Sequence, residues 1–287
     1  MDPPATIRPA PPPPPPRTDQ PFEPYPSPSR LTLATRSHTQ GAFHISARKL
    51  PILKAGPIDA MAARLRIPVP EMIFGDNLVC VAHPRTGWSV SFGAEAALDT
   101  VDKTGAGGML RVAHATAWSS SRERSGATAG ISEVVRPFDW SYSARYLGDE
   151  EEVAIPVELL KRRDPILFAD EVVLYESELD DNGISVMSVK FRVMEQRMLL
   201  LCRLFMRLDG VLVRVRDTRV YVDFEKELVI REYTAREDTF DNVKQKLYLS
   251  GLMPDAITAA LRDSNQVVNL LPVVESCVDS VCLAPKS

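Results

Sequence analysis

Residues 203–221, RLFMRLDGVLVRVRDTRVY, combine apolar side chains with an arginine every few positions. Asp209 and Gly210 separate two apolar runs, which predicts a β-hairpin with a two-residue turn, because glycine readily adopts the positive φ that such turns require. Pairing outward from this turn, together with the alternation of side chains along a strand, predicts one wholly apolar face. The members of that face are Leu204, Met206, Leu208, Val211, Val213 and Val215.

The opposite face of the predicted hairpin carries four cations. They are Arg203, Arg207, Arg214 and Arg216, with Phe205 and Leu212 between them. Burying the six apolar side chains of the first face contributes on the order of 10 kcal/mol, at roughly 1.5–3 kcal/mol each. Exposed ion pairs contribute only about 0–1 kcal/mol each. The apolar face is therefore predicted to drive folding, and the arginine face to remain available for another role.

Strand and helix patterns continue on both sides of this hairpin. Alternating residues predict an antiparallel meander of about five strands over residues 171–233, with a second turn at Asn182-Gly183. Further strands are predicted within residues 41–55, 70–83 and 88–92, and helices within residues 56–67, 93–103, 254–263 and 272–283. The predicted fold class is α+β, with a mainly antiparallel sheet flanked by helices.

The first thirty residues differ in composition from the rest of the chain. They contain 13 of the 24 prolines, including the run Pro11 to Pro16, and few apolar residues that could form a core. Such a segment is predicted to be a disordered tail with polyproline II character, followed by a single domain over residues 31–287. The tail is either a ligand for a domain of the SH3 or WW type, or a solvated segment with no partner.

Composition excludes several classes of function. The chain has 287 residues, a formal net charge of −4 and 25% charged residues. A nucleic-acid-binding protein usually has a basic domain, so this mildly acidic total argues against a nucleic-acid partner. Its most apolar run, residues 198–202, is far too short to span a membrane, and the N-terminus lacks the apolar region of a secretory signal. Four cysteines without a C-x-x-C spacing indicate free thiols in a reducing compartment. We expect a cytoplasmic monomer, with the nucleus as a second location.

Charge is segregated along the second half of the chain. Residues 149–181 contain twelve acidic and three basic residues, whereas residues 190–219 contain eight basic and three acidic ones. One interpretation is that the two segments are neighbours and that their opposite charges pair across strands. The other is that part of the arginine face binds an acidic partner or a carboxylate tail, because the forked guanidinium group is suited to binding carboxylates.

No spacing in the sequence indicates a catalytic or metal site. The four histidines are scattered, and the patterns of phosphate loops, dinucleotide folds, zinc proteases and serine hydrolases are absent. Cys80 and Cys202 lie in apolar strands, which is typical of core thiols rather than nucleophiles. The enzymatic alternative is a small-molecule hydrolase that uses Asp76 and His83. We therefore expect a non-enzymatic protein without a cofactor or a metal.

Six strings resemble the TIPRL family, the TOR-pathway proteins named for interaction with the Tap regulatory subunit of type 2A phosphatases. In the family's order they are "PEMIFGDN" (70–77), "GGMLRVA" (107–113), "EVVRPFDWSYS" (133–143), "LDDNGISVMSVKFRVM" (179–194), "LFMRLDGVLVRVRDTRVY" (204–221) and "REYTAREDT" (231–239). The resemblance covers most of residues 42–283. It implies a regulator without catalytic activity that binds the catalytic subunit of type 2A-like serine/threonine phosphatases in TOR signalling, directly or through the Tap subunit.

The resemblance also implies positions for partner contacts. The family's contacts are similar to positions that fall here on Ile155 and Asp217, although Ile155 could instead be a core residue and Asp217 could form an ion pair with Arg216 or Arg219. Arg203, Arg207, Arg214 and Arg216 are the electrostatic candidates, able to bind an acidic, aromatic phosphatase tail that ends in a carboxylate. We expect Asp217→Asn or Arg214→Glu to weaken binding without unfolding the chain. The competing hypothesis is an adaptor that acts through its N-terminal polyproline segment.

Overall fold

The computed structural model describes residues 28–66, 69–99, 149–150, 153–179 and 183–285. The predicted polyproline tail up to residue 27 lies outside the described residues. So does the segment 119–130, whose serine and glycine content predicts a surface loop. The described residues form two antiparallel sheets with short helices, which confirms the predicted α+β class.

The smaller sheet has four strands in the order β1-β2-β4-β5. These strands are β1 (Thr35–Gln40), β2 (Phe43–Arg48), β4 (Leu78–His83) and β5 (Trp88–Gly93). Three helices belong to this part of the chain: α1 (Pro28–Ala34), α2 (Ala55–Leu65) and α3 (Ala94–Asp99). Helix α2 confirms the predicted amphipathic pattern, because Met61 and Leu65 are buried.

The larger sheet has eight strands in the order β3-β7-β8-β9-β10-β11-β12-β6. They are β3 (Met72–Ile73), β7 (Phe168–Ser177), β8 (Gly183–Val193), β9 (Arg197–Leu208), β10 (Leu212–Asp223), β11 (Leu228–Thr239), β12 (Val273–Cys282) and β6 (Asp149–Glu150). Strands β7 to β11 are the predicted five-stranded meander. The remaining helices are α4 (Val157–Lys161), α5 (Phe240–Leu249), α6 (Pro254–Ala260) and α7 (Ser264–Val267), followed by a 3₁₀ turn (Val268–Leu270).

The predicted turn of the central hairpin is wrong by one residue. Strands β9 and β10 pair with Leu208 opposite Leu212, so three residues rather than two connect them. Only Gly210 of the connection has a positive φ, 72°, and the amide of Val211 donates to the carbonyl of Leu208. Because side chains alternate along a strand, this shift moves every side chain of one strand to the other face relative to its partner.

Each face of the observed hairpin therefore mixes arginine with apolar residues. On one face lie Arg203, Phe205, Arg207, Val213, Val215 and Asp217. This is the helix-covered face, because Phe205, Val213 and Val215 pack against residues of α5, α6 and α7. On the other face lie Leu204, Met206, Leu208, Leu212, Arg214 and Arg216. This is the core face, because Leu204 belongs to the hydrophobic core shared with the smaller sheet. Met206, Leu208 and Leu212 form a separate cluster with Leu179.

Asn182 of the second predicted turn lies outside the described residues. Its neighbour Gly183 lies between Ser177 and Ser185, the last pair of β7 and β8, and it also pairs with Leu208 of β9. One further local prediction is wrong. Residues 273–282, predicted as a helix, form β12, which pairs with β11. Helix α5 and strand β1 were not anticipated from the sequence, although Thr239 caps α5 by accepting from the amide of Asn242 at 3.3 Å.

Candidate functional site

The four arginines that were expected on one open face are buried and paired. Arg203 donates two hydrogen bonds of 2.7 Å to both oxygens of Asp217, and Arg207 donates one of 2.7 Å to Asp209. Arg214 contacts Glu237 at 2.5 Å, and Arg216 lies 4.0 Å from the same carboxylate. The four side chains are 11%, 10%, 6% and 10% exposed, in sequence order.

The prediction of an available arginine face is therefore wrong. The one-residue shift in register distributes the four cations over two faces, and both faces are covered. A buried guanidinium group without a partner is costly, so each needs a nearby carboxylate. The three carboxylates that pair with these arginines come from β10, from β11 and from the hairpin turn, and none comes from the acidic segment 149–181. Within that segment, Glu171 forms an ion pair with Lys190 at 2.9 Å, and Asp164 forms one with Arg197.

An open groove runs along β8 and β9 on the helix-covered face. Its wide end, about 760 Å³, lies between these strands and residues 160–166. Its narrow end, about 280 Å³, lies between the same strands and residues 262–265. Glu171, Lys190 and Leu201 line both ends. We call the two ends together the β8–β9 groove.

The wide end combines an apolar surface with an excess of positive charge. The cations are Lys161, Arg162, Arg163, Lys190 and Arg192, the anions are Asp164, Asp170 and Glu171, and the apolar residues include Leu160, Ile166, Leu199 and Leu201. Each of the three anions already has a cationic partner. Arg163 and Arg192 are exposed, and neither forms an ion pair within the described residues. This end suits an acidic peptide with apolar side chains.

Ile155 and Asp217 do not line this groove but contact residues that do, one at each end. Ile155 is buried in a cluster with Tyr221 and Ile230, and the same cluster includes Leu160 and Leu199 of the wide end. Asp217, which is 3% exposed, holds Arg203 of the narrow end, and Arg203 also donates to Asn265 at 3.0 Å. The structure thus associates three of the six predicted residues with one groove: Ile155, Asp217 and Arg203.

The other three predicted residues lie elsewhere. Arg214 and Arg216 point to the core face. Arg207 lines a separate cleft of about 660 Å³ between α5 and α6, where it also donates to the carbonyl of Leu261 at 3.2 Å. The sequence did contain a signal for the groove. Ser188, Lys190 and Arg192 alternate with buried apolar residues along β8 and so mark a polar face.

The enzymatic alternative finds no support in the geometry. Asp76 precedes β4 and His83 ends it, so about 20 Å separates them at roughly 3.3 Å per residue. Burial raises the pKa of Asp76, and the charge of Arg48 opposes that effect only in part. Burial also raises the pKa of the Cys80 and Cys202 thiols, which disfavours the nucleophilic thiolate. Across the residues that the structure describes, no cluster of three or more potential metal ligands occurs.

None of the helices within the described ranges is long and apolar enough to cross a membrane.

Comparison with known proteins identifies similar chains over most of this length. A family model described as the TIP41-like family matches residues 72–244. The type 2A phosphatase activator TIP41 of Saccharomyces cerevisiae is 37% identical over 276 residues, covering 87% of this chain and 76% of the yeast protein. The TIP41-like protein of Homo sapiens is 36% identical over 253 residues, covering 84% of this chain and 87% of the human protein. The type 2A phosphatase activator tip41 of Schizosaccharomyces pombe is 31% identical over 230 residues, covering 77% of this chain and 87% of the S. pombe protein.

Proposed function

Because the chain belongs to the TIP41-like family, we propose that it binds the catalytic subunit of a type 2A-like serine/threonine phosphatase and modulates the activity of that enzyme. Membership confirms the resemblance found in the sequence. Two relatives are named as type 2A phosphatase activators, which supports a regulator rather than a catalyst. TOR signalling, action through the Tap subunit, and a cytoplasmic or nuclear location belong to the same proposal.

The β8–β9 groove is the surface that supports this proposal best. An acidic, aromatic tail would place its aromatic side chain against Leu199 and Leu201 at the wide end. Its carboxylates would meet Arg163 and Arg192, which have no ion-pair partner within the described part of the chain. The single observation that carries the proposal is that one open groove combines an apolar surface with cations that have no ion-pair partner among the described residues.

Ile155 and Asp217 then act as positioning residues in this proposal. Ile155 fixes Leu160 and Leu199 at the wide end through shared packing. Asp217 orients Arg203 at the narrow end through two hydrogen bonds. Substituting either residue would change the shape of the groove without removing a direct contact with the partner.

A charge reversal on the groove tests the proposal. Lys190 and Glu171 form an exposed pair at 2.9 Å, with side chains 50% and 54% exposed, so Lys190→Glu should leave the fold intact. We expect this variant to weaken capture of a purified type 2A catalytic subunit at least tenfold, about 1.4 kcal/mol. The matched control is Arg64→Glu, which breaks another exposed pair, with Glu95 at 2.9 Å, outside the groove. Equal capture by both variants would remove the groove from the proposal.

The adaptor hypothesis has its own discriminating variant. Replacing Pro11–Pro16 by serine in the full chain abolishes polyproline II character and leaves residues 28–285 unchanged. If the chain binds its partner through the folded part, capture of the phosphatase persists in this variant. Loss of capture would favour the adaptor.

A further inference from the structure

Strand pairing aligns a row of side chains across the larger sheet on its helix-covered face. From β7 to β11 the paired residues are, in succession, Glu171, Lys190, Leu201, Arg219 and Glu232. None of these five residues is buried. The row begins in the wide end of the β8–β9 groove, which its first three members line, and continues over two more strands. We call it the cross-strand row.

Other parts of the chain cover the sheet on both sides of the cross-strand row. On one side, Leu199 packs in a cluster with Ile155 and Leu160. On the other side, Phe205 packs against residues of α5, α6 and α7. Along β9, about 20 Å separates Leu199 from Phe205 at roughly 3.3 Å per residue. The row therefore forms the floor of a strip between the two covers, wide enough for one extended chain.

The narrow end of the β8–β9 groove is bridged, whereas the far end of the cross-strand row is not. At the narrow end, Arg203 donates to Ser264 at 3.3 Å and to Asn265 at 3.0 Å, so the sheet and α7 are joined there. Arg219 instead pairs with Glu232 of the neighbouring strand at 2.6 Å, and its side chain is 40% exposed. A chain that leaves the wide end is therefore less obstructed across the strands than along them.

The two ends of the cross-strand row differ in charge. At the wide end, Arg163 and Arg192 have no acidic partner among the described residues. At the far end, Arg219 is balanced by Glu232 and also lies 3.8 Å from Asp217. A guanidinium group has five N–H donors and a carboxylate accepts several hydrogen bonds, so this pair can bind both the carbonyls and the amides of a main chain. The wide end suits carboxylates, and the far end suits an uncharged backbone.

We infer that the phosphatase tail crosses the sheet along this row, with its terminal carboxylate in the wide end and its preceding residues over Arg219 and Glu232. This rests on the proposed function and adds the direction and the minimum length of the bound segment. Four strand spacings of about 4.8 Å separate Glu171 from Glu232, a distance of about 19 Å that about six extended residues span. The body of the phosphatase then lies on the β12 side of the larger sheet.

Synthetic peptides of two lengths test the path with the full chain. They are the last four and the last nine residues of a type 2A catalytic subunit. Four extended residues span about 13 Å and end before Arg219, whereas nine span about 30 Å. By isothermal titration calorimetry, we expect the shorter peptide to bind at least tenfold more weakly. Equal affinities of the two peptides would overturn the cross-strand path.

Arg219→Gln tests the far end of the row. We expect this variant to bind the nine-residue peptide about fivefold more weakly, as for the loss of one or two hydrogen bonds. The matched control is Arg85→Gln, which breaks another half-exposed pair, with Glu227, outside the groove, and which should leave the affinity unchanged. An equal effect of the two substitutions would overturn the role of Arg219.

A photoreactive benzophenone at either end of the nine-residue peptide tests the direction. Peptide mass spectrometry locates its attachment to the chain, a readout that a purely structural role of Arg219 would not change. We expect a probe at the last residue of the peptide to label residues 160–166 or 190–192, and a probe at the first residue to label residues 217–221 or 230–234. Exchange of the two labelled regions would overturn the direction. Labelling of one region by both probes would overturn the crossing.

Capture of the whole catalytic subunit separates this inference from the proposed function. If the subunit is captured and Lys190→Glu weakens that capture, the proposed function stands. Unchanged affinity of Arg219→Gln for the nine-residue peptide then overturns only the cross-strand path. A nine-residue peptide that does not bind, although the subunit is captured, shows that the tail is not the occupant and overturns the inference as well. Equal capture by Lys190→Glu and Arg64→Glu would instead remove the groove from the proposed function.

Discussion

Arg203 and Asp217 show why single residues of the central hairpin are poor candidates for direct contact. The side chains of the four arginines expected on one face, Arg203, Arg207, Arg214 and Arg216, are only 6–11% exposed, and Asp217 is 3% exposed. Removing one member of such a pair leaves a buried charge without its partner, which destabilises the fold. A loss of binding in such a variant would then follow from the loss of stability. Asp217→Asn and Arg214→Glu, expected from the sequence to leave the fold intact, are now expected to destabilise it. Arg214→Glu in particular would place a second carboxylate beside Glu237.

Asp217→Asn should lower the free energy of unfolding by about 3 kcal/mol, the lower end of the range for breaking a buried ion pair, because asparagine keeps one acceptor for Arg203. Urea unfolding at neutral pH measures the change. The control is Glu171→Gln at the exposed Lys190 pair, where we expect less than about 0.5 kcal/mol. An unfolding midpoint unchanged by Asp217→Asn would mean that Arg203 does not depend on this carboxylate.

At the scale of elements, backbone geometry overrides local sequence preference at two places. The Asp209-Gly210 pair forms a three-residue connection with one positive φ, so the register of β10 differs from the prediction. Residues 273–282 have apolar side chains at positions compatible with a helix, yet they pair with the edge of β11 because an unpaired strand edge is costly. Gly183, in a sequence typical of a turn, also allows β8 to approach β9 closely.

Gly183→Ala tests that close approach. A Cβ atom at this position would collide with the carbonyl group of Arg207, so we expect the free energy of unfolding to fall by about 1–3 kcal/mol, as in other overpacked sites. Gly56→Ala in α2 is the control, because no atom lies within 4 Å of its added Cβ, and alanine there should be neutral or stabilise by about 0.5–1 kcal/mol. Similar urea midpoints for both variants would contradict the close approach of β8 and β9.

At the scale of the whole molecule, a few polar residues join the two sheets beside their shared core. Asn77, before β4, accepts from the amide of Leu50 at 2.6 Å and donates to the carbonyl of Val173 in β7 at 2.7 Å. Asp170 of β7 binds Arg36 of β1 at 3.3 Å and Lys49, the residue after β2, at 2.5 Å. The "PEMIFGDN" string, which resembles the family, thus contains one of these joining residues.

The junction at Asp170 predicts a dependence of stability on pH. Burial raises the pKa of Asp170, but the hydrogen bonds from Lys49 and the Glu171 amide and the charges of Lys49 and Arg36 outweigh it, so the pKa lies below its ordinary value of 3.8. A carboxyl group with a lowered pKa in the folded state stabilises fully above its unfolded pKa, and that contribution disappears as the pH falls through the folded value.

We therefore expect Asp170→Asn to be less stable than the unaltered chain by about 1 kcal/mol at pH 6, because both partners are half exposed or more. The difference should remain constant down to about pH 5 and then decrease as the pH falls through the lowered pKa of the folded state, since the carboxyl group becomes protonated in both states. Urea midpoints of both proteins from pH 6 to pH 2.5 measure it. A difference that persists at the lowest pH would assign the stabilisation to packing instead of charge.

The sequence by itself determined the family, the α+β class, the five-stranded meander and the apolar face of α2, because each depends on residues that are close along the chain or on side-chain periodicity. It also marked the polar stripe of β8. Only the tertiary structure decided the register of β9 against β10, the conversion of residues 273–282 into a strand, and the burial of the four arginines. These features depend on which backbone groups and carboxylates meet across strands, and a shift of one residue, invisible in local composition, redistributes every charge between the two faces of the sheet.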